Sequence, residues 1–68
     1  MTTNKSLCVG DVVELRRVLL SEGDRWYPST VMAVENDGIA VRYNQPMPGA
    51  PGFDYEWLSM DSRGRNWR

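Results

Sequence analysis

Trp26 and Tyr27 stand side by side just before Pro28, in the stretch DRWYPSTVMAV that covers residues 24–34. Rings in such a place either fill a core or grip something from outside, since Trp and Tyr join a large apolar body to one polar handle. Further rings stand at Tyr43, Phe53, Tyr55 and Trp57, with Asp54 and Glu56 between the last three. Arg16, Arg17, Arg42, Arg63 and Arg65 are the groups suited to a phosphate backbone. The chain has no histidine and one cysteine, Cys8. Ser-His and Cys-His nucleophile pairs and cysteine–histidine metal clusters are therefore excluded. A general base would have to be a carboxylate or a tyrosine with a displaced pKa, and no paired arrangement stands out. The chemistry on offer is recognition rather than bond making, so no catalytic residue, metal ligand or cofactor is expected.

With 68 residues the chain makes one small domain, which must draw nearly all its stability from a single compact core. Eight basic side chains face nine acidic ones, a balance that argues against a general electrostatic grip on nucleic acid. The charge is uneven, however: Asp54, Glu56 and Asp61 precede an arginine-rich end, RGRNWR. A lone cysteine forms no internal disulfide, which suits a reducing compartment. No apolar run approaches the ~20 residues of a membrane span. The opening MTTNKS lacks the apolar centre of a signal peptide. The expectation is a soluble intracellular module, nuclear or cytoplasmic, with no membrane contact.

The elements that must position these residues are short. Residues 1–8 read as a flexible N-terminal segment and residues 9–68 as one domain. In VGDVVELRRVL, Val13 and Leu15 alternate with Val12, Glu14 and Arg16, as in a half-buried strand. A helix over 11–20, with Val12, Leu15 and Leu19 as its stripe, is the competing reading, and the β-branched content favours the strand. RWYPSTVMAVE is the second strand, with Pro28 at an edge, a bulge or the strand start. Trp26 and Tyr27 then face opposite ways unless Pro28 bulges the strand. NDG predicts a tight hairpin turn of the primed type. IAVRYN follows with Ile39, Val41 and Tyr43 on one face, and QPMPGAPG is a loop that can carry Met47 or Phe53 into a pocket. FDYEWLSM places Phe53, Tyr55 and Trp57 on one face, with Trp57 as a core anchor. DSRGRNWR gives a turn and a short last strand. The fold class is all-β: a small five-stranded antiparallel barrel.

VGDVVELRR, WYPSTVMAV, DGIAVRYN and YEWLSMDS occur in an order that resembles the Tudor, Agenet and chromo-barrel families over residues 9–62. The resemblance implies an SH3-like barrel, and in many members a cage of aromatic rings that binds methylated lysine or arginine. A methylated ammonium keeps its charge but sheds hydration, so each well-placed ring attracts it by ~0.5–2 kcal/mol. By this resemblance Tyr27 and Tyr43 match cage positions, Phe53 and Tyr55 match by type, and Asp54 is the acidic partner. Where a further cage aromatic often ends the first strand, this chain has Arg16 and Arg17, so the cage is incomplete, closed by Trp26 instead, or absent. The implied partner is a methylated histone tail or other basic peptide, within a larger chromatin protein or complex.

Two other readings stand beside it. Arg16, Arg17, Arg42, Arg63 and Arg65 suit an interaction barrel for nucleic acid or protein that has no cage. The chain also resembles, more loosely, the small SH3-like dihydrofolate reductases carried on plasmids, through VGDVVELRR and DGIAV. That family's Val-Gln-Ile-Tyr run is missing here.

Overall fold

The computed structural model describes residues 7–49 and 52–68. The expected flexible segment over 1–8 falls mostly outside them. Of its last residues, Leu7 packs against the core, and the Cys8 backbone N–H donates to the Asp11 carboxylate at 2.9 Å.

Four antiparallel strands run in chain order across one curled sheet: β1 Val12–Leu19, β2 Gly23–Val34, β3 Gly38–Tyr43 and β4 Tyr55–Ser59. A 3-10 turn, Met60–Ser62, follows β4 and is capped by the Ser59 hydroxyl, which accepts from the Asp61 N–H. The fold is thus an all-β half-barrel. Among the described residues no helix is long and apolar enough to cross a membrane.

Alternation decides the faces. Val13 and Leu15 of β1 are buried while Val12 is exposed, so 11–20 is a strand and the helical stripe does not form. Val31, Ile39, Val41 and Leu58 join them on the concave side, with Met47 from the loop. Leu58 rather than Trp57 is the inward residue of β4, because it stands opposite buried Ile39. Trp57 is 49% exposed, so the expectation of a core anchor there is corrected. The core tryptophan is Trp67, wholly buried, whose indole N–H donates to the Ser59 carbonyl at 2.8 Å.

The expected fifth strand is an isolated bridge between Leu15 and Trp67. Backbone bonds exchanged by Glu14 and Arg68 at 2.7 and 2.9 Å, and one from the Arg16 N–H to Asn66, seat residues 66–68 on the free edge of β1. That return blunts an edge otherwise open to pairing.

Pro28 sits inside the ladder without breaking it. It faces Glu14, whose N–H and C=O both turn the other way, to Arg68. The ladder with β3 closes at Ser29 opposite Tyr43, and beyond it Pro28 serves that neighbour as an acceptor alone, taking the Asn44 N–H on its carbonyl at 3.3 Å. The register shift lies instead between Val31 and Ala33.

The hairpin at Asn36 and Asp37 is where the sequence predicts it, but its type differs. No described residue other than glycine has positive φ, and Gly38 is not among the glycines that do. A primed turn is therefore absent. Gly38 has another use: a Cβ there would lie 2.4 Å from the Leu58 carbonyl oxygen and 2.5 Å from the Trp57 ring. The Trp57 indole covers the glycine from the convex side, an arrangement in which a cross-strand aromatic shields a bare backbone.

Candidate functional site

Strand register sorts the predicted residues between the two sides of the sheet. Tyr27 stands opposite Leu15 and Tyr43 opposite buried Ser29, so both tyrosines lie on the concave side, half-buried against the core. Glu56 stands opposite Val41 and joins them there. Trp26, opposite Arg16, and Tyr55, opposite Arg42, lie on the convex side.

The concave mouth holds a three-residue polar cluster. The Tyr43 hydroxyl donates to Glu56 Oε1 at 2.6 Å, and Arg17 Nη2 donates to the same oxygen at 2.5 Å. Arg17 Nη1 also donates to the Arg16 carbonyl at 3.1 Å. Burial, then the bond to Glu56 and its charge, push the Tyr43 phenol above its ordinary pKa, while Arg17 pulls the other way. At neutral pH the hydroxyl is therefore a firm donor.

Beside this cluster the β3–β4 connection forms a groove of about 340 Å³ lined by Tyr43, Asn44, Gln45, Met47, Phe53 and Asp54 among others. Of the predicted loop QPMPGAPG, residues 50–51 lie outside the described residues. The Tyr43 N–H donates to the Asp54 carbonyl at 2.8 Å, which sets these two residues opposite one another. Phe53 is 68% exposed, and Asp54 takes part in no ion pair among the described residues.

Of the six predicted ligand-binding residues, the structure brings Tyr43, Phe53 and Asp54 into one groove and sets Tyr27 on the same side. Trp26 and Tyr55 are not brought to it. Trp26 lies beneath the Arg68 guanidinium, 3.8 Å from its ring centre, and Arg68 in turn pairs with Glu14. From the convex side Trp26 does not close a cage at Tyr43.

The arginines of the alternative reading are dispersed. Arg17 faces the concave mouth, while Arg16 pairs with Asp24 at 3.3 Å on the convex side. Arg42 is exposed on that side. Arg63 packs 5.4 Å from the Trp67 ring, and Arg65 donates to the Asp61 carbonyl at 2.7 Å. Arg16 and Arg65 are nonetheless neighbours, the Arg16 Nη1 donating to the Arg65 carbonyl at 3.4 Å.

Sequence reasoning gave Asp54 a role as acidic partner but passed over Glu56. The signal was its spacing from Leu58: had Leu58 been taken as the core residue of β4, Glu56 would have followed it inward. Among the described residues no group of three or more His, Cys, Asp and Glu side chains is placed to hold a metal ion. Comparison with protein-family models, curated proteins and solved structures finds no match for this chain.

Proposed function

We propose that the chain is a non-catalytic binding module that takes a cationic side chain, methylated lysine or arginine, from a basic peptide such as a histone tail. One observation carries the reading: Tyr43, Phe53 and Asp54, whose carboxylate is in no ion pair among the described residues, line a single open groove. Two ring faces attract a poorly hydrated cation through their quadrupoles, and the carboxylate adds charge and accepts any N–H the methylation leaves.

The finer architecture proposed is an SH3-like barrel of the Tudor kind. It is supported by the 3-10 turn after β4 and by the return of residues 66–68 to β1. On this reading the chain acts within a larger chromatin protein or complex.

The test is a two-dimensional amide NMR titration with histone-tail peptides that differ only in methylation, at lysine or at arginine. Shifts at Tyr43, Phe53 and Asp54 that follow methylation are the expected result. Equal shifts with the unmodified peptide, or none, overturn the reading. A response to short RNA or DNA that falls steeply with salt would favour the phosphate-binding alternative.

A further inference from the structure

Tyr43, which lines the proposed groove, also holds a carboxylate on which a cation is already seated. Glu56 Oε1 accepts from the Arg17 guanidinium at 2.5 Å and from the Tyr43 hydroxyl at 2.6 Å. We infer that Arg17 is a resident ligand: its guanidinium fills a receptor made by Glu56 and Tyr43, and the partner group that replaces it is another guanidinium bearing free N–H groups. This rests on the reading that the neighbouring groove takes a cation, and it says which cation and what it must displace.

Three observations carry it. First, the receptor is pre-arranged, because the phenol holds the carboxylate oxygen from one side and leaves it to a planar, charged donor on the other. Second, the Arg17 and Glu56 side chains keep 25% and 30% of their exposure, so exchange at the mouth leaves the core closed. Third, Asp54 lies two residues before Glu56 on the same strand approach and adds a second carboxylate to the mouth. Two acidic groups against one resident guanidinium leave a net negative charge that favours a second cation.

The chemistry of the donors then selects. A trimethylated ammonium has no N–H and cannot replace the bond that Arg17 makes to Glu56. An arginine methylated on one terminal nitrogen retains that donor. Arg17 is tethered, so its high effective concentration lowers the apparent affinity of any rival.

The experiment compares the unmodified chain with Arg17→Met, which keeps an apolar stem and removes the guanidinium. Each is titrated with one peptide carrying monomethyl-arginine (the arginine peptide) and one carrying trimethyl-lysine at the same position. Arg17→Met is expected to bind the arginine peptide tighter by about tenfold or more, with little gain for trimethyl-lysine, because the competitor is gone. Adding Glu56→Gln to Arg17→Met should erase the gain. In the unmodified chain, saturating arginine peptide should move the Arg17 side-chain resonances to their solvent-exposed positions, a readout that does not depend on any variant folding. Guanidinium ion at low millimolar concentration, well below denaturing levels, should raise the melting temperature of Arg17→Met and not that of the unmodified chain.

Equal affinity of both proteins for the arginine peptide, with Arg17 unmoved, overturns the inference and leaves the groove reading intact. Equal gains for both peptides overturn the guanidinium selectivity. If neither protein binds either peptide while guanidinium ion still stabilises Arg17→Met, the groove reading fails and the receptor stands. If guanidinium ion also has no effect, both fail.

Discussion

Arg17 on the first strand and Glu56 on the last meet at 2.5 Å across the concave face, although β1 and β4 are not neighbours in the sheet. The pair closes the mouth of the curl, as the Trp67 indole bond to Ser59 closes its other end. Both side chains are largely withdrawn from water, and Glu56 carries the Tyr43 hydroxyl as well. Removing one partner therefore leaves a partly desolvated charge behind. Arg17→Ala is expected to cost about 1–3 kcal/mol in denaturant unfolding, more than an exposed pair such as Arg16–Asp24, which sits in the range of about 0–1 kcal/mol. A double-mutant cycle with Glu56→Gln should give a clear coupling energy. Additive effects would mean that the pair contributes nothing across the mouth.

The Tyr43 phenol gives the fold an alkaline limit. Its pKa is raised above the ordinary value of 10.0, by burial first and then by the bond to Glu56 and its charge. A raised folded-state value means that the stabilisation is complete below pH 10 and is lost as pH climbs through the folded-state pKa. Stability should thus be insensitive to this group at neutral pH and fall under strongly alkaline conditions. Glu56→Gln removes two of the raising causes and should bring the Tyr43 titration back toward 10, whereas Arg17→Ala removes the opposing influence and should push it further up. The ring-carbon NMR shift of Tyr43 reads both. Opposite signs in the two variants are expected, and equal signs would contradict the geometry.

These two residues also show what the sequence makes legible. Alternation in VVELRRVL, read as a strand, places Val13 and Leu15 inward, because Glu14 and Arg16 stand between and beyond them. In YEWLS the same rule is silent about phase, since Tyr and Trp are as apolar as Leu and either set could face the core. The larger residues invite the wrong choice, and from it follow both the misplacement of Trp57 and the neglect of Glu56. Trp67 was hidden for another reason: among Arg65, Asn66 and Arg68 no apolar alternation marks it as inward, yet this single ring turned inward seals the core. Tyr43 and Asp54 were legible as neighbours because a strand end and a loop end must meet once the hairpin order is known. The position of Arg17 on Glu56 joins strands 39 residues apart in sequence, which no local pattern encodes.

Ser29 is fully buried opposite Tyr43, and its hydroxyl has no hydrogen-bond partner among the described residues. A buried hydroxyl without a partner carries a desolvation cost that alanine, nearly the same size, avoids. Ser29→Ala is expected to be neutral or to stabilise by up to about 1 kcal/mol, seen as a higher denaturation midpoint with an unchanged slope. A loss of more than about 1 kcal/mol would show that the hydroxyl has a partner in solution, such as a trapped water.

Gly38 is held by contact rather than by conformation. A methyl group there would meet the Leu58 carbonyl oxygen at 2.4 Å and the Trp57 ring at 2.5 Å. The ring is half-exposed and can swing away, but the carbonyl is part of the β3–β4 ladder and cannot move alone. Gly38→Ala should therefore destabilise by about 1–3 kcal/mol, in the range of overpacked sites, despite the usual gain from replacing glycine in a strand. Trp57→Ala by itself should cost less than the same change at buried Trp67. Combined with Gly38→Ala, it should recover only the share of the loss that came from the ring. Full recovery in the double variant would place the whole conflict on the indole, and the backbone approach at Leu58 would then be looser than the register of these strands requires.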